Sequence, residues 1–214
     1  MTMTAFTGFP LAGLDFYEDL EADNSQAFWN AHKQVWESSV RDPMKALVAE
    51  LEPDFGAAKI FRPYRDVRFA KDKSPYKNHQ GAVVYSAQYS GWYVQIGAAG
   101  LRVAGGMYAA SPAQLTALRA AIDDEVRGAE LEGLIAELES NGYAIGGDKL
   151  ATKPKGYDLE HPRIDLLRHK SLTAGKDFGA PKWLSTPRAA REIRAAWEQM
   201  RPLIEWLAAV TDQK

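Results

Sequence analysis

Three stretches in the middle of the chain, residues 81–86, 91–98 and 101–108, limit its fold more than any other part. Each is rich in Val, Ile, Tyr or Trp, and glycines bound them. β-Branched and aromatic residues suit a pleated, half-buried surface. The connections between the stretches are only a few residues long, whereas a parallel crossover needs about a dozen or more. The three stretches are therefore expected to pair antiparallel as hairpins, with Gly91 and Gly100 at positions where a turn needs a permissive backbone.

Helical periodicity flanks this block on both sides. Phe16, Tyr17 and Leu20 share one face of a first helix. Asn24 is placed to cap a second, carrying Phe28, Trp29, His32, Val35, Trp36 and Val40. Asp42-Pro43 opens a third through Met44, Leu47, Val48 and Leu51, which Pro53 is expected to stop. After the strands, Ser111-Pro112-Ala113-Gln114 has the form of a capping box ahead of Leu115, Leu118 and Ile122. Leu131, Leu134, Ile135 and Leu138 follow, ended by Asn141-Gly142. A short helix from Pro162, an edge strand near Phe178 and a last helix from Thr186-Pro187 complete the reading, with a kink expected at Pro202. The expected fold is α+β: a central antiparallel sheet of about four to five strands with helices at both chain ends, as one domain over residues 1–214.

The charge distribution singles out residues 62–77. This segment gathers Arg62, Arg65, Arg68, Lys71, Lys73 and Lys77 around only Asp66 and Asp72. Its local balance is +4 in a chain of net charge −2. Arginine cannot escape crowding by losing its proton. Two such charges ~7 Å apart repel by about 2 kcal/mol at an effective dielectric near 20. The fold must supply carboxylates, leave the cluster in water, or present it to an anion.

If residues 59–69 are extended, Arg62, Tyr64, Asp66 and Arg68 share one face. Arg65 then turns the other way with Phe61, Val67 and Phe69, and needs an acidic partner or an exit to solvent. The first face is suited to a phosphate or carboxylate, because guanidinium offers two parallel donors to an oxyanion. The candidate ligand-binding set is Arg62, Arg65, Asp66, Arg68, Asp72, Lys73, Tyr76 and Lys77, the last three folding over the face from the Ser-Pro-Tyr-Lys turn. The alternatives are a salt-bridge network that only braces the turn, or a nucleic-acid or protein-binding face using the same cations with Tyr64, Tyr76 and Trp92. For acid–base work, crowding by positive charge favours Lys73 or Tyr76 over the two aspartates. No catalytic residue follows from spacing alone.

The segment resembles a known signature. It matches Arg-x-x-Arg-Asp-x-Arg-Phe-x-x-Asp-Lys-x-Pro-Tyr through Arg62, Arg65, Asp66, Arg68, Phe69, Asp72, Lys73, Pro75 and Tyr76. That pattern is shared by a bacterial and fungal family catalogued as domain of unknown function number twenty-four sixty-one. The resemblance extends to Phe28-Trp29-Asn30-Ala31-His32-Lys33 with the aromatic order swapped, to Gly105-Gly106-Met107-Tyr108, and to residues 154–162. It implies a single-domain family of about this size and assigns no chemistry.

Other features narrow the field. With no cysteine, thiolate metal sites, disulfides and cysteine nucleophiles are excluded. There is no Gly-x-Gly-x-x-Gly, Walker or Gly-x-Ser-x-Gly pattern, so no nucleotide cofactor or serine nucleophile is implied. His161, Asp165 and His169 are spaced by four, but the proline after His161 breaks the face, and no metal is expected. Lys153, Lys155 and Gly156 form a second basic loop, either solvated or another wall of the same anion pocket. His32 reads as a packing histidine, and His79 is the histidine placed for proton transfer. Trp92 and Tyr93 with Tyr85 and Tyr89 read as cross-strand pairs or a stacking platform. Without a signal peptide or membrane span, a cytoplasmic location and an anionic small molecule as partner are the expectation, with nucleic acid a weaker one and membrane none.

Overall fold

The computed structural model describes residues 5–66, 68 and 71–211. Its first helices are α1 (Ala12–Ala22), α2 (Gln26–Trp36) and α3 (Asp42–Phe55), the last two joined by a π-helical turn over Glu37–Arg41. Four strands and two helices follow: β1 (Ala58–Ile60), β2 (His79–Ala87), β3 (Ser90–Gly97), β4 (Gly100–Met107), α4 (Pro112–Asp123) and α5 (Glu125–Ser140). The chain closes with β5 (Ala144–Gly146), α6 (Ile164–Leu167), β6 (Leu172–Gly179), a 3₁₀ turn at Lys182–Ser185 and α7 (Arg188–Thr211). The fold is α+β, and its sheet has six strands in the order β1-β2-β3-β4-β6-β5. That is one strand more than the upper expectation, because the short β5 pairs antiparallel with β6 through Ala144↔Gly175 to Gly146↔Thr173.

Two compact units divide the chain. The first takes Met1–Val84, Tyr93–Val103 and Asp177–Ala195. Phe9, Leu20, Trp29, Met44, Leu47 and Leu51 fill its core with Val94, Ile96 and Leu101 from the strands. The second takes Tyr85–Trp92, Ala104–Lys176 and Ala196–Lys214. There Leu118, Ile122 and Leu131 pack with Leu172 and the Trp197, Met200, Leu203 and Leu207 stripe of α7. Burial of each such side chain contributes about 1.5–3 kcal/mol.

Several local expectations hold and several give way. Ser111 caps α4 through a complete capping box with Gln114. Gly142, at φ 80°, follows the end of α5. Asn24 does not cap α2; Ser25 does, its Oγ accepting from the Phe28 N–H at 3.1 Å. α3 begins at Asp42 with Pro43 in its first turn, as expected, but Asp42 is helical rather than a cap, since the π-helical turn carries the chain straight into this helix. Pro53 does not stop α3, because a proline in the last turn forfeits only one bond. Gly56, at φ 95°, ends that helix two residues after Asp54. The expected edge strand near Phe178 is β6, which lies inside the sheet between β4 and β5. The turn between β2 and β3 uses Tyr89, at φ 66°, rather than Gly91 for its left-handed residue.

Candidate functional site

The basic segment lies in the first unit, between β1 and β2. β1 pairs antiparallel with β2 from Ala58↔Val84 to Ile60↔Ala82, and the two segments meet again at an isolated bridge, Tyr64↔Tyr76. Between those pairs, residues 61–63 face the longer run 77–81, so a regular ladder cannot continue. Buried Gln80 fills the mismatch, its Nε2 donating to the Phe61 carbonyl at 2.6 Å and to the Gly81 carbonyl at 3.1 Å. In place of the long strand expected over residues 59–69, the described residues there hold the end of β1, a bulge and a bridge. Its alternation survives nonetheless. Arg62, Tyr64, Asp66 and Arg68 are exposed, whereas Phe61, Pro63 and Arg65 are half-buried. Val67 and Phe69, expected beside Arg65, lie outside the described residues.

The bridge makes a neck. The Arg65 N–H donates to the Pro75 carbonyl at 2.9 Å, and the Lys77 N–H to the Pro63 carbonyl at 2.8 Å. Tyr76 anchors the neck, with its ring stacked on Trp29 of α2 at 4.2 Å and 6° between planes. Tyr64 leans on both rings, at 6.2 Å from Trp29 and 5.5 Å from Tyr76. Asn24 holds the backbone of the same residue in both directions. Its Nδ2 donates to the Tyr76 carbonyl and its Oδ1 accepts from the Tyr76 N–H, each at 3.1 Å. A capping role for Asn24 was the local reading; the side chain instead serves a residue 52 positions away. His32 packs as expected, stacked on Phe28 at 4.1 Å with Nδ1 donating to the Phe28 carbonyl at 2.9 Å.

Beyond the neck the loop pairs with itself. Arg68 grips Asp66 with both edges of its fork, Nε to Oδ1 at 2.9 Å and Nη2 to Oδ2 at 2.6 Å. Arg65 pairs through Nη1 with Asp72, whose other oxygen accepts from the Ser74 N–H at 2.9 Å and from its hydroxyl. These bonds hold both carboxyls below the ordinary aspartate value, Asp66 chiefly through Arg68 and Asp72 chiefly through Ser74. Lys71 and Lys73 are exposed on the same loop. Tyr76, expected to lose its proton more easily among cations, does the opposite, because burial raises its pKa.

At the base of the neck the balance changes. Arg62 is exposed and forms no ion pair among the described residues, since Asp66, which its charge reaches, is gripped by Arg68. Lys77 places its ammonium 5.2 Å from the centre of the Phe61 ring. Its pKa is pushed down, first by burial and then by the Arg62 charge. The next ionisable group, His79, is likewise pushed down by burial and by Lys77 and Arg65.

A family profile described as conserved hypothetical protein (DUF2461) matches residues 12–206 of the 214. The chain belongs to this family. A search of curated proteins found no match. The matched span contains the whole neck and loop, together with Asn24 and Trp29, which brace them.

Most of the remaining expected features fall in the second unit. Lys153 turns back on its own loop, its Nζ donating to the Tyr157 carbonyl at 2.7 Å. His161 bonds Asp123 at 2.9 Å, while buried His169 donates from Nδ1 to the Ser171 carbonyl at 2.7 Å. Among the described residues, no three His, Asp or Glu side chains gather as a metal site. Trp92 is buried and donates to the Trp197 carbonyl at 3.0 Å, so it offers no open stacking face; half-buried Tyr93, in the first unit, donates its hydroxyl to Gln95 at 2.9 Å. Among the described residues, no helix is long and apolar enough to cross a membrane.

Proposed function

We propose that the protein binds a phosphate- or carboxylate-bearing small molecule at the base of the signature loop, between Arg62 and Lys77. The carrying observation is the distribution of acids. Asp66 and Asp72 are taken by Arg68 and Arg65, while exposed Arg62 and its neighbour Lys77 share no carboxylate among the described residues. Arg62 supplies a planar fork and Lys77 a compact point charge, the usual division of labour at an oxyanion. An anion there offsets both the burial and the Arg62 repulsion that depress the Lys77 pKa. Arg65, Asp66, Arg68, Asp72 and Lys73 shape and charge the loop above it, and Tyr76 fixes its base.

A thermal-shift series with inorganic phosphate, pyrophosphate and dicarboxylates, against sodium chloride of matched ionic strength, tests this reading. Specific binding raises the melting temperature in a saturable way, since a ligand selective for the native state stabilises it by RT ln(1 + [L]/Kd). The rise should vanish in the double variant Arg62→Ala/Lys77→Ala. A response matched by sodium chloride, or one unchanged in that variant, rules the site out. Half-exposed Tyr64 beside these cations supports a second reading, stacking of a nucleobase. Binding of single-stranded nucleic acid that weakens steeply with salt, and is lost in Tyr64→Ala, would favour it instead.

A further inference from the structure

Two residues past Lys77, the chain enters a different chemical setting. A cavity of about 120 Å³ opens where the start of β2 meets the turn between β3 and β4, lined among others by Glu21, Asn78, His79, Gln95, Arg102 and Asp177. Its volume equals that of about four water molecules, room for a ligand of very few heavy atoms. Gly97 lets the walls approach. A Cβ there would lie 2.9 Å from the Asn78 carbonyl oxygen and 3.3 Å from the His79 Cβ.

Three side chains in this cavity fix one another's orientation. Asn78 Nδ2 lies 3.3 Å from Glu21 Oε1, and a carboxylate only accepts, so the amide nitrogen faces Glu21. Asn78 Oδ1 is thereby turned to His79 Nδ1, 3.1 Å away, and an amide oxygen can only accept. The imidazole must carry its proton on Nδ1. In the neutral ring, Nε2 is then a bare lone pair, and it has no hydrogen-bond partner among the described residues. The charged groups around the ring are Lys77 and Arg65 from the signature segment, Glu21 from α1, and the Arg102–Asp177 ion pair from β4 and β6. Burial first, and then the Lys77 and Arg65 charges, hold the His79 pKa below the ordinary histidine value, which favours the neutral ring and disfavours an ammonium ligand.

Donors complete the cavity. Arg102 uses Nη1 on Asp177, and guanidinium has five N–H groups. Tyr93 donates to Gln95 Oε1 at 2.9 Å, which leaves Gln95 Nε2 to donate elsewhere. We propose that this cleft binds a small hydroxy acid, whose hydroxyl donates to His79 Nε2 and whose carboxylate docks on Arg102 and Gln95. The oriented imidazole makes His79 the proton acceptor for that hydroxyl.

The test is imidazole ¹⁵N NMR of the wild-type protein, which reads both ring nitrogens directly, with glycolate and acetate as paired probes. Before addition, the His79 signals should show the Nδ1–H tautomer. Glycolate should shift Nε2 saturably at millimolar concentration, and acetate, which lacks the hydroxyl, should bind about tenfold or more weakly. Arg102→Ala should weaken both probes, while Asn78→Leu should abolish the preference for glycolate by releasing the tautomer. Arg62→Ala, whose side chain is not among the charges around the ring, should keep the glycolate response, which separates this cleft from the phosphate site. An Nε2–H tautomer, equal responses to the two probes, no ring response, or loss of glycolate binding in a folded Arg62→Ala variant overturns the proposal. The two probes act on unmodified protein, so the result stands even if a variant fails to fold.

Discussion

At its carboxyl end the basic segment is held by buried, non-local contacts, whereas at its tip the described residues form ion pairs within the segment. Tyr76 is 4% exposed, stacked on Trp29 and bonded through its backbone to Asn24. Arg68 and Asp66, a few residues away, have side chains 77% and 48% exposed. Buried stacking and satisfied backbone groups fix geometry at a cost of several kcal/mol when broken. Exposed ion pairs contribute little and open readily. The basic segment thus joins two kinds of residue: those that place the loop, and those that the loop presents.

That contrast is open to direct attack. The largest effect is expected at the anchor, where Trp29→Ala should cost about 3–5 kcal/mol in urea unfolding, as for other buried large-to-small changes. A loss comparable to that of Arg68→Ala, which should leave the unfolding midpoint unmoved, would erase the distinction between anchor and tip. Next comes Asn24→Ala, which strands both backbone polar groups of Tyr76 and should cost about 2 kcal/mol. If Asn24 were only a helix cap, Asn24→Ser would restore full stability; the neck predicts that it does not, because the shorter side chain cannot meet both groups.

A smaller effect concerns pH. His79 and His169 are both pushed below the ordinary histidine value, first of all by burial. Between the folded and unfolded values the unfolded chain binds more protons, so stability rises with pH across that window. Stability should be complete above the ordinary histidine value and decline as the pH falls through it. His79→Gln should flatten part of that slope at the neck without changing the neutral-pH midpoint much. A slope identical to wild type would show that His79 titrates as if in water.

How far the sequence carries this picture depends on the range of the interactions involved. Hairpins, the Ser111–Gln114 capping box and the exposed face of Arg62, Tyr64, Asp66 and Arg68 are local consequences of spacing, and each is visible before any fold is known. The interior position of β6 was hidden because Lys176 and Asp177 give the strand an edge-like polarity. Asn24 was misread because an asparagine ahead of an amphipathic run looks like a cap, and its true partner lies 52 residues on. The stacking of Trp29 on Tyr76 and the mismatch filled by Gln80 are also invisible locally, since both depend on register. The division of the cations follows from the same cause. Which arginine meets which aspartate is decided by a neck that no spacing rule describes.

The most direct measurement is calorimetric titration of inorganic phosphate into wild type, Arg62→Ala/Lys77→Ala and Arg68→Ala. The account predicts saturable binding to wild type, a loss of about tenfold or more in the double variant, and a change within about twofold for Arg68→Ala. Wild type that takes up no phosphate, or a loss confined to Arg68→Ala, would contradict it.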